Sequence, residues 1–71
     1  MPSNNNIGIG DHVLIKGDVY TVKALDGDMC VAAGDVTGQG ALFTGRYVFN
    51  RRADKPTKVD TAFVNALKGT V

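Results

Sequence analysis

The sequence predicts a mainly β fold, a small and strongly bent barrel of about five short antiparallel strands with one C-terminal α-helix over about residues 58–68. Three observations carry this reading. From His12 to Asn50 the apolar residues come in short β-branched and aromatic runs separated by turn residues. All seven acids are aspartates and there are nine glycines, both of which favour turns over helix interiors. After Lys58 the apolar spacing changes to that of a helix. A chain of 71 residues holds one domain. It buries about 60% of its unfolded surface, which leaves a thin core and little depth for a walled-off active site.

Residues 1–6, with three consecutive asparagines, read as a disordered tail, and 7–71 as the single domain. His12–Lys16 is the first expected strand, with Val13 and Ile15 on one face. Gly17-Asp18 suits a tight reversal into Val19–Leu25, where Lys23 points out and Tyr20, Val22 and Ala24 point in. Asp26-Gly27 is a hairpin signal of the type I′ kind, and Met29–Ala33 is apolar throughout, as a central strand would be. Residues 34–40 hold three glycines and read as a mobile loop. Ala41–Thr44 and Tyr47–Asn50 are the fourth and fifth expected strands, with Tyr47 and Phe49 on one face. Arg51 to Lys58 reads as a polar connector. Val59, Ala62, Phe63, Ala66 and Leu67 then form a helical stripe, with Thr57 as N-cap, Asp60 as its reciprocal partner and Gly69 as the stop. That stripe is either core or a face for another chain.

Gly10-Asp11-His12-Val13-Leu14-Ile15-Lys16-Gly17 resembles the opening of SH3-like barrels, notably KOW-type modules, where a Gly-Asp-x-Val strand precedes a turn glycine. The resemblance implies an SH3-like barrel and a role beside nucleic acid in transcription or translation machinery. Ile9-Gly10-Asp11-His12-Val13 also looks like the barrel start of the plasmid-borne type II dihydrofolate reductases. Their Val-Gln-Ile-Tyr strand has no counterpart here, because Gly40-Ala41-Leu42-Phe43 lacks the glutamine and the tyrosine. No site residue is carried over from either family.

The composition excludes several classes. No apolar run approaches the roughly 20 residues of a membrane span. The N-terminus has no basic start with an apolar stretch behind it, so it does not read as a secretory signal. One cysteine makes neither an intrachain disulfide nor a zinc site, and the chain reads as cytoplasmic, without cofactor or metal. Cys30 reads as a buried apolar residue and the only histidine, His12, as a strand-surface residue. No acid–base pair or nucleophile constellation is visible, so an enzyme is not expected. The net charge of +1 hides a dipolar chain. Residues 1–45 carry two lysines against five aspartates, and residues 46–71 six cations against two aspartates.

The expected working surface is the basic segment Arg46, Arg51, Arg52, Lys55 and Lys58 with Tyr47 and Phe49 between them. Its cations suit phosphates and its aromatics suit bases. An acidic protein surface is the other partner this pattern fits, and a solvated segment paired with the acidic half of the chain is the plain alternative. Arg51 and Arg52 follow the last expected strand, so neither is expected to matter for stability. The loop with Gly34, Asp35, Gly38, Gln39 and Gly40 is a possible second binding lip. The function read from the sequence is therefore a small non-enzymatic binding module, nucleic-acid-associated or, alternatively, a protein-docking regulator or inhibitor that binds a larger protein or self-assembles.

Overall fold

The computed structural model describes residues 7–54 and 56–69, so the tail expected over residues 1–6, together with Lys55, lies outside the described residues. The chain is mainly β, and the described residues form five antiparallel strands in one sheet and a short C-terminal helix. The elements are β1 (His12–Ile15), β2 (Asp18–Asp26), β3 (Met29–Val36), β4 (Arg46–Asn50), β5 (Thr57–Val59) and α1 (Thr61–Leu67). The strand order is β4-β3-β2-β1-β5, a meander of four strands to which β5 returns beside β1. The two edges do not pair, so the sheet is not closed into the barrel that the sequence suggested.

Two hairpins set the register. Ile15 pairs with Asp18, which leaves Lys16 and Gly17 as the two turn residues, at φ 53° and 88°. Both values are positive, the type I′ pattern, and Lys16 takes a conformation that side chains with a Cβ rarely adopt. The turn therefore sits one residue before the expected Gly17-Asp18. In the β2–β3 hairpin Asp26 pairs with Met29, and of the two turn residues Gly27 and Asp28 only Gly27 has positive φ. That is the type II′ arrangement rather than the expected I′.

Two irregularities divide the core between the sheet faces. The β2–β3 register shifts between Val22 and Ala24, so Lys23 is an extra residue on β2. The bulge turns Ala24 out and Leu25 in, against the alternation read from the sequence. A second shift between Val19 and Tyr20 leaves Asp35 unpaired on β3. One face buries Ile7, Val13, Val22, Cys30, Ala32 and Phe49, with Ile15, Tyr20, Leu25 and Tyr47 packed against them. The other buries Val19, Val36 and Val64, with Leu14, Val59 and Leu67 around them.

Three further expectations are corrected. Ala41–Thr44 is not a strand, since it makes only an isolated bridge between Val36 and Leu42. Phe43 instead lies over Gly34, where a Cβ would fall 2.5 Å from its ring. Residues 57–59 of the expected connector form β5, paired with His12–Leu14. Because β5 keeps Val59 in the sheet, the helix starts later than expected. Asp60 is the N-cap, its Oδ1 accepting from the Phe63 amide at 2.8 Å. The helix turns Val64 into the core, while Ala62, Phe63 and Ala66 of the expected stripe are exposed. Gly69 ends it at φ 67°, as expected. No helix among the described residues is long and apolar enough to cross a membrane.

Candidate binding groove

The cations of the basic segment are spread apart and largely paired. Arg51 lies across the end of the sheet. Its Nη1 donates to the Ile7 carbonyl at 2.6 Å, its Nε reaches Asp28 Oδ1 at 3.4 Å, and its amide donates to the Asp28 carbonyl at 2.9 Å. Arg52 is exposed and reaches the other Asp28 oxygen at 3.8 Å. Lys58 sits on β5, at the opposite edge from β4, with its Nζ 3.4 Å from Asp11. Arg46 begins β4 and is exposed, while Lys55 lies outside the described residues. Tyr47 and Phe49 share the first core face, as expected, and alternation sends Arg46 to the other. The strand therefore separates the aromatics from Arg46. The expectation that Arg51 is dispensable for stability does not fit its bond to the Ile7 carbonyl.

The glycine-rich segment is tied down. Gly34 and Asp35 belong to β3. Asp35 accepts from the Thr21 hydroxyl at 3.2 Å and pairs with Lys68 Nζ at 3.2 Å. Gly38 donates to Asp18, and Gln39 donates to the Thr37 hydroxyl. Gly40, at φ 89°, packs against the Leu67 carbonyl at the end of α1.

What the structure brings together is a groove at the open side of the sheet, where Ile15, Tyr47 and Phe49 of the first core face meet Leu14 and Thr57. In a flat sheet β1 and β4 would lie three spacings apart, about 14 Å. Here they line one cavity of about 340 Å³, so the sheet curls until its two edges approach. Leu14, Ile15 and Lys16 form one wall, and Tyr47 and Phe49 of β4 form the other. Asp54, Pro56 and Thr57 close the end. Behind the Tyr47–Phe49 wall the rings continue as a row. Phe43 meets Tyr20 edge-on at 5.3 Å, Tyr20 meets Tyr47 at 5.4 Å, and Tyr47 stacks on Phe49 at 6.1 Å. Among the described residues that line the groove, Lys16 is the one cation and Asp54 the one carboxylate. Asp54 is fixed by the turn after β4, accepting from the Asn50 amide at 2.7 Å and donating its own amide to the Asn50 carbonyl at 2.8 Å.

Sequence reading found Tyr47 and Phe49 but missed the opposite wall. Lys16-Gly17 before an aspartate was the available signal, because a two-residue turn there puts Ile15 at a strand end beside the turn. His12 is half-buried rather than fully on the surface, its Nδ1 2.9 Å from the Thr21 hydroxyl that donates to Asp35. Cys30 is fully buried, and burial pushes its thiol pKa up against the opposing pull of Arg51, so it stays a protonated core residue. Among the described residues no group of three or more His, Cys, Asp or Glu side chains is placed to hold a metal. Compared with protein-family models, curated proteins and solved structures, the chain matches none.

Proposed function

We propose that this chain is a non-enzymatic binding module that holds a segment of another protein in the groove between β1 and β4. The observation that carries the reading is the unclosed sheet, which leaves a cavity of about 340 Å³, walled on one side by Tyr47 and Phe49, between two strand edges that do not pair. Concave apolar sites with few polar groups are the usual shape of binding sites. Of the two partner classes the sequence suggested, protein is favoured over nucleic acid. Arg51, Arg52 and Lys58 already lie beside aspartates, so a polyphosphate would have to displace those carboxylates. The described lining of the groove holds one cation, Lys16, beside one carboxylate, Asp54, whereas phosphate binding draws on several cations.

The test is to pan a random peptide library on the immobilised chain and to titrate generic single- and double-stranded DNA and RNA in parallel. Enriched peptides should bind with apolar anchors and weak salt dependence. Thr57→Trp fills the groove from an exposed position on β5 and should abolish that binding without unfolding the chain. Nucleic-acid binding with a steep salt slope, unaffected by Thr57→Trp, would overturn the reading.

A further inference from the structure

Resting on that reading, we infer that the groove's occupant is an extended peptide that adds as a strand to the free edge of β4, with apolar side chains turned into the groove and acidic ones turned toward Arg46. The edge shows which backbone groups are free. The Gly34 amide donates to the Gly45 carbonyl, and the Arg51 amide donates to the Asp28 carbonyl. In an antiparallel ladder these contacts mean that the odd-numbered residues of β4 face β3 and the even-numbered ones face outward. Asn50, the last of the outward set, is covered on both its groups by Asp54. The outward N–H and C=O groups of Arg46 and Val48 have no partner among the described residues. They are two residues apart, about 7 Å, which is the repeat of a strand.

This pattern selects a peptide. It offers donors and acceptors alternately at the strand repeat, as a neighbouring strand does, whereas the phosphates of a nucleic-acid backbone are acceptors only and would meet the Arg46 and Val48 carbonyls with repulsion. The two edges of the sheet also differ in protection. β5 is three residues long, follows Pro56 and carries Lys58, all features that discourage edge pairing. β4 reads Arg-Tyr-Val-Phe-Asn, with no proline, no lysine and no register shift against β3.

The side chains on either side of the edge complete the specification. A strand laid along β4 would turn alternate residues toward Tyr47 and Phe49, where the cavity lies, and the others toward Arg46 and Val48. Val48 is 51% exposed and Arg46 makes no ion pair among the described residues. An acidic side chain on that side would therefore meet an unpaired guanidinium.

The experiment uses the intact chain and a blocked heptapeptide of alternating glutamate and valine at millimolar concentration, followed by amide hydrogen exchange and chemical shifts. The Arg46 and Val48 amides should exchange fast in the free chain and be protected by the peptide. Val48→Pro removes an outward N–H without touching the β3 ladder and should weaken binding about tenfold, while Val48→Thr, which keeps it, should bind as the parent does. The circular dichroism of both variants checks that they fold. If library peptides bind, and bind equally well to Val48→Pro without protecting these amides, strand addition is wrong and the groove reading stands. Should no peptide bind at all, both fall. Protection of Arg46 and Val48 in the chain alone also overturns the inference: with a doubled mass the occupant is a second copy, and with a monomeric mass the edge is already covered.

Discussion

Arg51→Ala should destabilise this chain severely, and Arg52→Ala should hardly do so, although the two are adjacent cations beside the same aspartate. The Arg51 side chain is 23% exposed and that of Arg52 68%. Arg51 Nη1 donates to the Ile7 carbonyl at 2.6 Å, a charge-assisted bond that contributes about 1.5–3 kcal/mol. Its ion pair with Asp28 adds only ~0–1 kcal/mol, because the carboxylate is more than a third exposed and screened by solvent. Ile7 is fully buried in the first core cluster, and Arg51 anchors the backbone that carries it in. Partial release of that side chain raises the expected loss to about 2–4 kcal/mol. For a domain of this size that lowers Tm by about 10–30 °C, whereas Arg52→Ala, at the ~0.5 kcal/mol of an exposed pair, should lower it by no more than about 4 °C. Thermal denaturation followed by circular dichroism measures both. Equal shifts for the two variants would refute the assignment of Arg51 as an anchor, and a combined double variant could then be read for binding alone.

Three more outcomes are expected. Lys16→Asn, which makes the β1–β2 turn Asn-Gly, should raise stability by about 0.5 kcal/mol in chemical denaturation, since asparagine tolerates positive φ better than lysine, and a loss would contradict the turn type. Gly34→Ala should cost about 1–2 kcal/mol because its Cβ would fall on the Phe43 ring, yet in a Phe43→Ala background the same change should be neutral or stabilising; the absence of that reversal would show that Phe43 does not sit there. Cys30 has its thiol pKa raised by burial, so the folded chain holds a proton that the unfolded chain releases. Stability should be fully present below the ordinary thiol pKa of about 8.5 and fall above it, by up to about 1.4 kcal/mol per pH unit, until the folded pKa is reached. Cys30→Ala should flatten that alkaline slope whatever it does to the absolute stability, and identical slopes would remove the assignment.

How legible each part was depends on whether a local signal or a distant contact decides it. The first three strands and the Asp26–Met29 hairpin follow from β-branched runs and turn residues that act within a few positions. Lys23 shows where this stops. Nothing around it marks a bulge, and only the pairing of Ala24 with Val31 reveals that the alternation has slipped. Phe43 looks like a strand residue by propensity but is held by the bare backbone of Gly34, nine residues earlier. Thr57–Val59 is too polar to announce a strand and becomes one because β1 offers an unpaired edge. The site divided the same way. Tyr47 and Phe49 were legible from period two, but the Ile15–Lys16 wall is brought opposite them only by the curl of the sheet.

The groove exists because three residues stop the strands that would otherwise close it. Pro56 precedes β5 and has no N–H to give a ladder, so pairing cannot extend backward from Thr57. Asp60 follows Val59 and takes up the Phe63 amide, so the chain leaves the sheet for the helix after three residues. At the other edge, Asp54 folds back on Asn50 and occupies the last outward groups of β4. What survives between these stops is a short, open length of β4 at Arg46 and Val48, facing a cavity that β5 is too short to cover. The charge asymmetry of the sequence then has a structural role. Asp11, Asp28 and Asp35 of the meander meet Lys58, Arg51 with Arg52, and Lys68 of the later segments. The more exposed of these pairs, Arg52 with Asp28 and Lys58 with Asp11, stabilise little on their own. Together all of these pairs seat β5, the end of β4 and the end of α1 around the rim of the sheet, while Arg46, beside the open edge, is left without a carboxylate among the described residues.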